Sequence, residues 1–275
     1  LCVYYTENAK NLQPLLQSRG EVAIMNYMDI PSFLTSTPIA HRGLHDAERP
    51  ENSIAAFRAA IACGYAIETD VRFTKDKKLA VFHDGTVDRM TDASGNVSSF
   101  TAADLVTLRL GGTQERVPLF GEFLEEVAGK APVLLEIKDM EGVRGEEIAE
   151  AIAREIGNAP LVYAVQSFQP AYVKAYKAMR PDVACGVLAT GQKFTKADFN
   201  GSPFWRIKAH VLKYMSLNGS VKPDFVSYRA EDLPFRKVSA FRGAKLAWTV
   251  RSEEEAARVR AYADNIIFEN FRPAP

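Results

Sequence analysis

From Thr37 onward the chain alternates short apolar runs with stretches of helical periodicity. "TPIAHRG" reads as a strand ending in a turn, and "NSIAAFRAAIACG" as a helix capped by Asn52 or Ser53 and ended by Gly64. "YAIETDVRF", "PVLLEIK", "LVYAVQSF", "VACGVLA", "DFVSYR", "KLAWTV" and "NIIFE" have the apolar, β-branched and aromatic content of strands. Helical patterns fall between several of them, about Glu146 to Ile156, near Ala171 to Met179, and over "EEEAARVRAYA". Principal strands therefore centre near residues 39, 67, 135, 163, 185, 226, 247 and 267. This alternation predicts an α/β fold, the TIM (β/α)8 barrel, rather than an open doubly wound sheet. No Gly-rich dinucleotide loop or P-loop follows the first strand, which weakens the nucleotide-fold alternative.

Two segments break the alternation. Residues of about 74–122, after the second strand, are turn-rich and carry a short extra strand in "LAVFHD", as a small insertion would. Residues of about 192–220 contain "FWRIKAHVLKYM", where aromatics mix with Arg206, Lys208, His210 and Lys213. A helix packed on the barrel rim is the ordinary reading of that pattern, and a membrane-touching or substrate-capping helix the other. The expected organisation is an N-terminal extension of unassigned role over 1–36 and one barrel domain over 37–275.

Within "GYAIETDVRFT" the strand pattern is interrupted by two acids, Glu68 and Asp70. Side chains two apart on a strand share a face, so these carboxylates lie side by side. Burying two like charges together is costly unless water or a cation compensates them. In a barrel, reactive groups gather at the C-terminal ends of the strands. Those ends read His41 and Arg42, Glu68 and Asp70, His83, Glu136 and Lys138, Gln166 and Phe168, and Trp248.

Glu68, Asp70 and Glu136 would make an all-oxygen set, suited to Mg²⁺ or Ca²⁺ (Mn²⁺ being a third choice) more than to Zn²⁺. The competing reading has these acids simply salt-bridged to Arg42, Arg72 and Lys138. Arg42 and Lys138 are candidates for holding an anion, and a phosphate fits a site that also holds a cation. His41 and His83 could exchange protons with an attacking and a leaving oxygen, while His45 and His210 read as structural. No Gly-x-Ser-x-Gly elbow and no promising cysteine nucleophile is present. A glycosidase carboxylate pair would leave Arg42, Lys138 and both histidines unused.

Composition adds bounds rather than chemistry. The chain has 275 residues, 47% hydrophobic and 25% charged, with 34 basic and 34 acidic residues. That balance gives no global field toward nucleic acid. Three scattered cysteines, Cys2, Cys63 and Cys185, form no disulfide framework, and a reduced cytoplasmic setting is expected. No apolar run approaches the roughly 18–20 residues of a transmembrane span, and the first residues lack a signal-peptide pattern. The start lacks Met, and Met25 or Met28 is a candidate biological start.

The run from "IAHRG" through "PENSIAAFRAAIACGYAIETDVRF" to "VFHDGTVDRMTDASGNV" resembles the glycerophosphodiester phosphodiesterases. Its His-Arg, Glu-x-Asp and His-Asp order falls on His41-Arg42, Glu68-Thr69-Asp70 and His83-Asp84, and "VPLFGEFLE", "LLEIK" and "AWTV" resemble later family stretches. The resemblance covers roughly Pro38 to Phe268. It implies a TIM barrel with a small insertion, a divalent ion on Glu68, Asp70 and Glu136, and acid/base roles for His41 and His83. It further implies phosphate contacts from Arg42 and Lys138, with Glu51 and Asn52 bracing the site and Asp84, Asp88 and Arg89 holding the inserted loop.

The expected reaction is metal-dependent hydrolysis of a small glycerophosphodiester to glycerol 3-phosphate and an alcohol. Phe82, Phe168 and Trp248 are candidates for the apolar side of the glycerol pocket. Alternatives on the same barrel are a phospholipase D-like or lysophospholipid phosphodiesterase and a non-catalytic binding relative. The secreted, disulfide-bonded sphingomyelinase D-like class fits the cysteines less well. Two departures stand out. Arg251 follows "WTV", where the family commonly has Asn or Asp, and Glu269-Asn270 replaces a frequent Thr-Asp pair. Both are expected to alter the alcohol side of the pocket.

Overall fold

A computed structural model describes residues 30–274 except Asn200; the 1–29 part of the expected N-terminal extension lies outside the described residues. Among the described residues, nine strands form one sheet: β1 (Ile39–Ala40), β2 (Ala66–Phe73), β3 (Leu79–Val81), β4 (Val133–Ile137), β5 (Tyr163–Ser167), β6 (Ala184–Ala189), β7 (Phe225–Arg229), β8 (Ala244–Val250) and β9 (Asn265–Phe268). Eight of them are parallel and close on themselves, because β1 pairs with both β2 and β9. This is the TIM barrel, with helices Ile54–Ala62, Phe120–Val127, Gly145–Ile156, Pro170–Met179, Trp205–Tyr214 and Glu253–Val259 outside it. The ninth strand, β3, runs antiparallel to the end of β2 and belongs to the insertion.

The period-2 rule sorts each barrel strand into an outer apolar face and an inner face. Outward residues such as Ile67, Val71, Leu135, Val165 and Val226 pack with the surrounding helices into one large core. The inward residues nearest the strand starts, including Ala66, Leu134, Ala164, Ala184, Phe225, Ala244 and Ile267, form a separate apolar plug. Phe33 and Leu34, from the short turn Phe33–Ser36, join that plug and seal the lower end. Gly186 is required there, because a Cβ at this position would sit 2.2 Å from the Phe225 ring. One residue further along each inner face, the chemistry changes: Glu68 follows Ala66, Glu136 follows Leu134, and Gln166 follows Ala164. Polar groups are thus collected at the open end by the same alternation that dries the closed one.

The insertion has its own small core of Ala80, Phe82, Val87, Val97, Leu105, Leu110 and Val117. It ends sooner than residue 122, since the helix that begins at Phe120 packs into the main barrel core through Phe120, Phe123, Leu124 and Val127.

Candidate active site

Three carboxylates converge at the open end. Strands β2 and β4 are in register with Asp70 opposite Glu136, and Glu68 lies two residues before Asp70 on the same face. One oxygen from each of Glu68, Asp70 and Glu136 falls within 4.8 Å of the others, and all three residues are buried. Lys138 reaches Glu136 at 2.5 Å and Asp70 at 3.3 Å. Arg42 donates its backbone N–H to Glu68 at 3.0 Å, and its Nε lies 3.6 Å from Asp70. Asn52 donates to Asp70 at 2.8 Å and is itself held by Thr69 at 2.8 Å. Both Arg42 and Asn52 adopt left-handed backbone conformations, at φ 56° and 57°, an arrangement that costs strain for a non-glycine residue.

Electrostatics within the cluster are uneven. Burial, together with the neighbouring Asp70 and Glu136 charges, pushes the Glu68 carboxyl well above its ordinary range. Burial acts in the same direction on Asp70, but Lys138, His83 and Arg42 overcome it and hold that carboxyl low. Asp70 Oδ1 is buried and accepts no hydrogen bond. Two cations therefore do not fully compensate three acids: one carboxyl favours its neutral form, and Asp70 Oδ1 has only the Lys138 ammonium, 3.3 Å away and outside hydrogen-bond geometry. A hard divalent cation would answer both deficits, so the donor set fits such an ion. The salt bridges weighed from the sequence exist for Lys138 and Arg42 but leave this surplus. Arg72 does not join them; it donates to the His83 carbonyl at 2.9 Å and so fixes the backbone beside that histidine.

The two histidines are held by parallel devices. His41 Nδ1 lies 2.6 Å from Glu269, whose other oxygen accepts from Arg251 at 2.8 Å. His83 Nδ1 lies 2.6 Å from Asp84, which accepts from Arg89 at 2.6 Å. Arg89 continues to Glu51 at 2.6 Å, and Glu51 accepts from Arg42 at 2.7 Å, so the inserted loop is tied to the cluster. The arms differ in burial, with 14% of the His41 side chain exposed against 30% for His83. Burial lowers the His41 pKa to about 4, against the opposing hydrogen bond from Glu269.

A cleft of about 310 Å³ is lined by His41, Arg42, Glu68, His83, Glu136 and Lys138 on its polar side. Phe168, Trp248 and Leu188 line the apolar side, with the first two rings edge-to-face at 5.4 Å. Phe82 is a correction. It lies just past the end of β3, does not line the cleft, and is buried in the core of the insertion with Val87, Val97 and Leu105.

Glu269 was visible in the sequence only as a family departure, and the structure gives it the histidine-holding place at the end of β9. Reading the strand-end rule one strand further would have found it. His45, expected to be structural, has its Nε2 3.8 Å from Glu269 and without a hydrogen-bond partner.

A closed parallel barrel with acids and histidines at its C-terminal mouth defines an enzyme architecture. The family model described as "Glycerophosphoryl diester phosphodiesterase family" matches residues 41–271, and the chain belongs to that family of phosphoric diester hydrolases. It is 30% identical over 241 residues to YhdW of Bacillus subtilis (strain 168), covering 81% of this chain and 89% of that one. It is 36% identical over 163 residues to the glycerophosphodiester phosphodiesterase of Caldanaerobacter subterraneus subsp. tengcongensis, covering 54% of this chain and 65% of that one. Among solved structures, an Oleispira antarctica phosphodiesterase in complex with its product sn-glycerol-3-phosphate superimposes with TM-score 0.70 at 23% identity, covering 88% and 94% of the two chains. Its likeness concerns the fold.

Proposed function

We propose that this enzyme hydrolyses small glycerophosphodiesters to glycerol 3-phosphate and an alcohol at the cleft bounded by His41 and His83. The observation that carries the reading is the convergence of two carboxylate-held histidines on an under-compensated triacid cluster. Glu68, Asp70 and Glu136 would hold a divalent ion, Mg²⁺ or Ca²⁺, with Mn²⁺ as a third choice. When bound, such an ion supplies Lewis-acid charge against the phosphoryl oxygens. Arg42 and Lys138 offer the remaining positive charge, Arg42 as a fork and Lys138 as a point, for a phosphate entering beside them.

His41 serves as the general base. Its Nδ1 is engaged by Glu269, and burial favours the neutral ring, which leaves Nε2 with a lone pair to accept a proton. That proton comes from the attacking oxygen: either water, which gives glycerol 3-phosphate directly, or the substrate's own 2-hydroxyl, which gives a cyclic phosphodiester that water then opens. His83, the more exposed of the pair, donates a proton to the alcohol oxygen as its bond to phosphorus breaks. Phe168 and Trp248 present an apolar wall to the glycerol carbons. Glu51, Asn52 and Asp84 act by positioning, through Arg42, Asp70 and His83 respectively. The same proposal treats 37–275 as one catalytic domain working in a reducing cytoplasm, in keeping with free thiols at Cys63 and Cys185. Among the described residues no helix is long and apolar enough to cross a membrane.

The test is product formation from a panel of glycerophosphodiesters and lysophospholipids with Mg²⁺ or Ca²⁺ supplied in turn. Turnover of glycerophosphocholine that stops in excess EDTA and returns with one of these ions supports the proposal. Full turnover in EDTA refutes the metal requirement, and binding without product under every ion refutes the enzymatic reading of the site.

A further inference from the structure

The segment between β6 and β7 is not used by the chemistry above, and it stands apart in charge and exposure. Across residues 192–222 the sequence carries six basic side chains, Lys193, Lys196, Arg206, Lys208, Lys213 and Lys222, against one acid, Asp198. The chain as a whole has net charge zero, so this excess is local. Among the described residues, three of the five exposed large hydrophobics belong to the same segment: Phe204 at 64% exposure, Ile207 at 63% and Leu217 at 44%. Phe204 and Ile207 are three residues apart at the start of the Trp205–Tyr214 helix and alternate with Arg206 and Lys208. Basic groups also lie over aromatic faces, Arg206 over Trp205 at 5.3 Å and Lys213 over Tyr214 at 5.6 Å.

The inner side of this segment fixes where it sits. Val211, Leu212 and Met215 line a small pocket together with Phe168 and Leu188, and these last two also line the active-site cleft. The segment is therefore part of the barrel mouth, with Phe204, Arg206 and Ile207 exposed on it and Lys208 also exposed, at the edge of a cleft that Asp139, Glu141 and Glu146 share.

We propose that residues 192–222 form a docking surface for an anionic phospholipid bilayer, seating the mouth of the barrel at the membrane. Interleaved Lys, Arg, aromatic and aliphatic side chains suit an interface in which apolar groups enter the acyl boundary while cations meet lipid phosphates. A protein partner fits less well, because lysine is depleted from protein interface cores and here it surrounds the apolar groups. The cytoplasmic leaflet supplies the matching negative surface. Docking needs no turnover, so the proposal stands or falls separately from the assignment of the catalytic residues.

The experiment is co-sedimentation of the full chain with phosphatidylcholine vesicles and with phosphatidylcholine/phosphatidylglycerol vesicles at low and high salt. The expected result is partition onto the anionic vesicles only, reversed by salt. Phe204→Ser/Ile207→Ser should reduce that partition by about tenfold or more, while glycerophosphocholine turnover in solution is unchanged. Arg206→Glu/Lys208→Glu should do the same through charge, and remains informative if the first pair fails to fold. No binding of the wild type to anionic vesicles, equal binding to neutral ones, or unchanged binding by both folded variants would overturn the proposal. So would variants that alter only the elution volume of the lipid-free protein, since that marks a self-association face.

Discussion

The His41 and His83 arms are built alike and buried unlike. Each imidazole meets a carboxylate at 2.6 Å through Nδ1, and each carboxylate meets an arginine. His41 is supplied by the barrel itself, with its carboxylate at the end of the neighbouring strand β9. His83 is supplied by the insertion, and its carboxylate is its own chain neighbour. The barrel-held ring loses solvent and is driven toward neutrality, whereas the loop-held ring stays more open to water. Under the proposed roles, a shared hydrogen-bonding device serves opposite proton transfers because burial differs, since desolvation disfavours the charged form.

The comparison can be broken most severely by removing the buried arm. His41→Ala should lower kcat for glycerophosphocholine by about 10³-fold or more, measured by release of glycerol 3-phosphate. His83→Ala should lower it by roughly 10²–10⁴-fold on the same substrate. Both variants should retain the wild-type thermal transition within a few degrees, since neither ring belongs to the apolar core.

Smaller effects should follow at the carboxylates. Glu269→Gln is expected to reduce kcat by about 10–100-fold with KM little changed, because an amide cannot hold the imidazole as a carboxylate does. Asp84→Asn should cost less, since water can replace a partner at the more exposed ring. Equal losses in the two variants would contradict the difference in burial on which the assignment rests.

The pH dependence provides the finest distinction. If His41 is the proposed base, its pKa of about 4 places the acidic limb of kcat/KM near pH 4 rather than near the ordinary 6.5. The sign follows from burial: the folded state binds this proton less readily than the unfolded chain. Protonation of His41 therefore works against folding only as pH falls from about 6.5 toward about 4. Glu269 raises the His41 pKa, so Glu269→Gln should move the acidic limb further down while lowering the plateau. A purely structural role for Glu269 would leave the limb where it is.

Much of this site was legible because strand periodicity and chemistry coincide. Glu68 and Asp70 interrupt an otherwise buried strand, and β2 and β4 pair in a register that sets Asp70 opposite Glu136. All eight barrel strands fall where the apolar runs placed them. Phe82 lies in the loop just past β3, where no strand periodicity tells which way an apolar residue beside a cleft histidine faces. Here the insertion has a core of its own to receive it. Glu269 was noticed as a departure and not as a participant, since its partner lies 228 positions away and only ring closure brings β9 beside β1. The ties from Arg89 through Glu51 to Arg42 were beyond reach for the same reason: they join loops that no local pattern relates.

The division of labour between the histidines is tested most directly by changing the leaving group. The rates of His41→Ala and His83→Ala should be compared on glycerophosphocholine and on a glycerophosphodiester that releases p-nitrophenol, which departs without needing a proton. The account predicts that His83→Ala recovers most of its lost activity on the activated substrate while His41→Ala does not. Recovery by His41→Ala alone, or equal behaviour of the two variants, would contradict it.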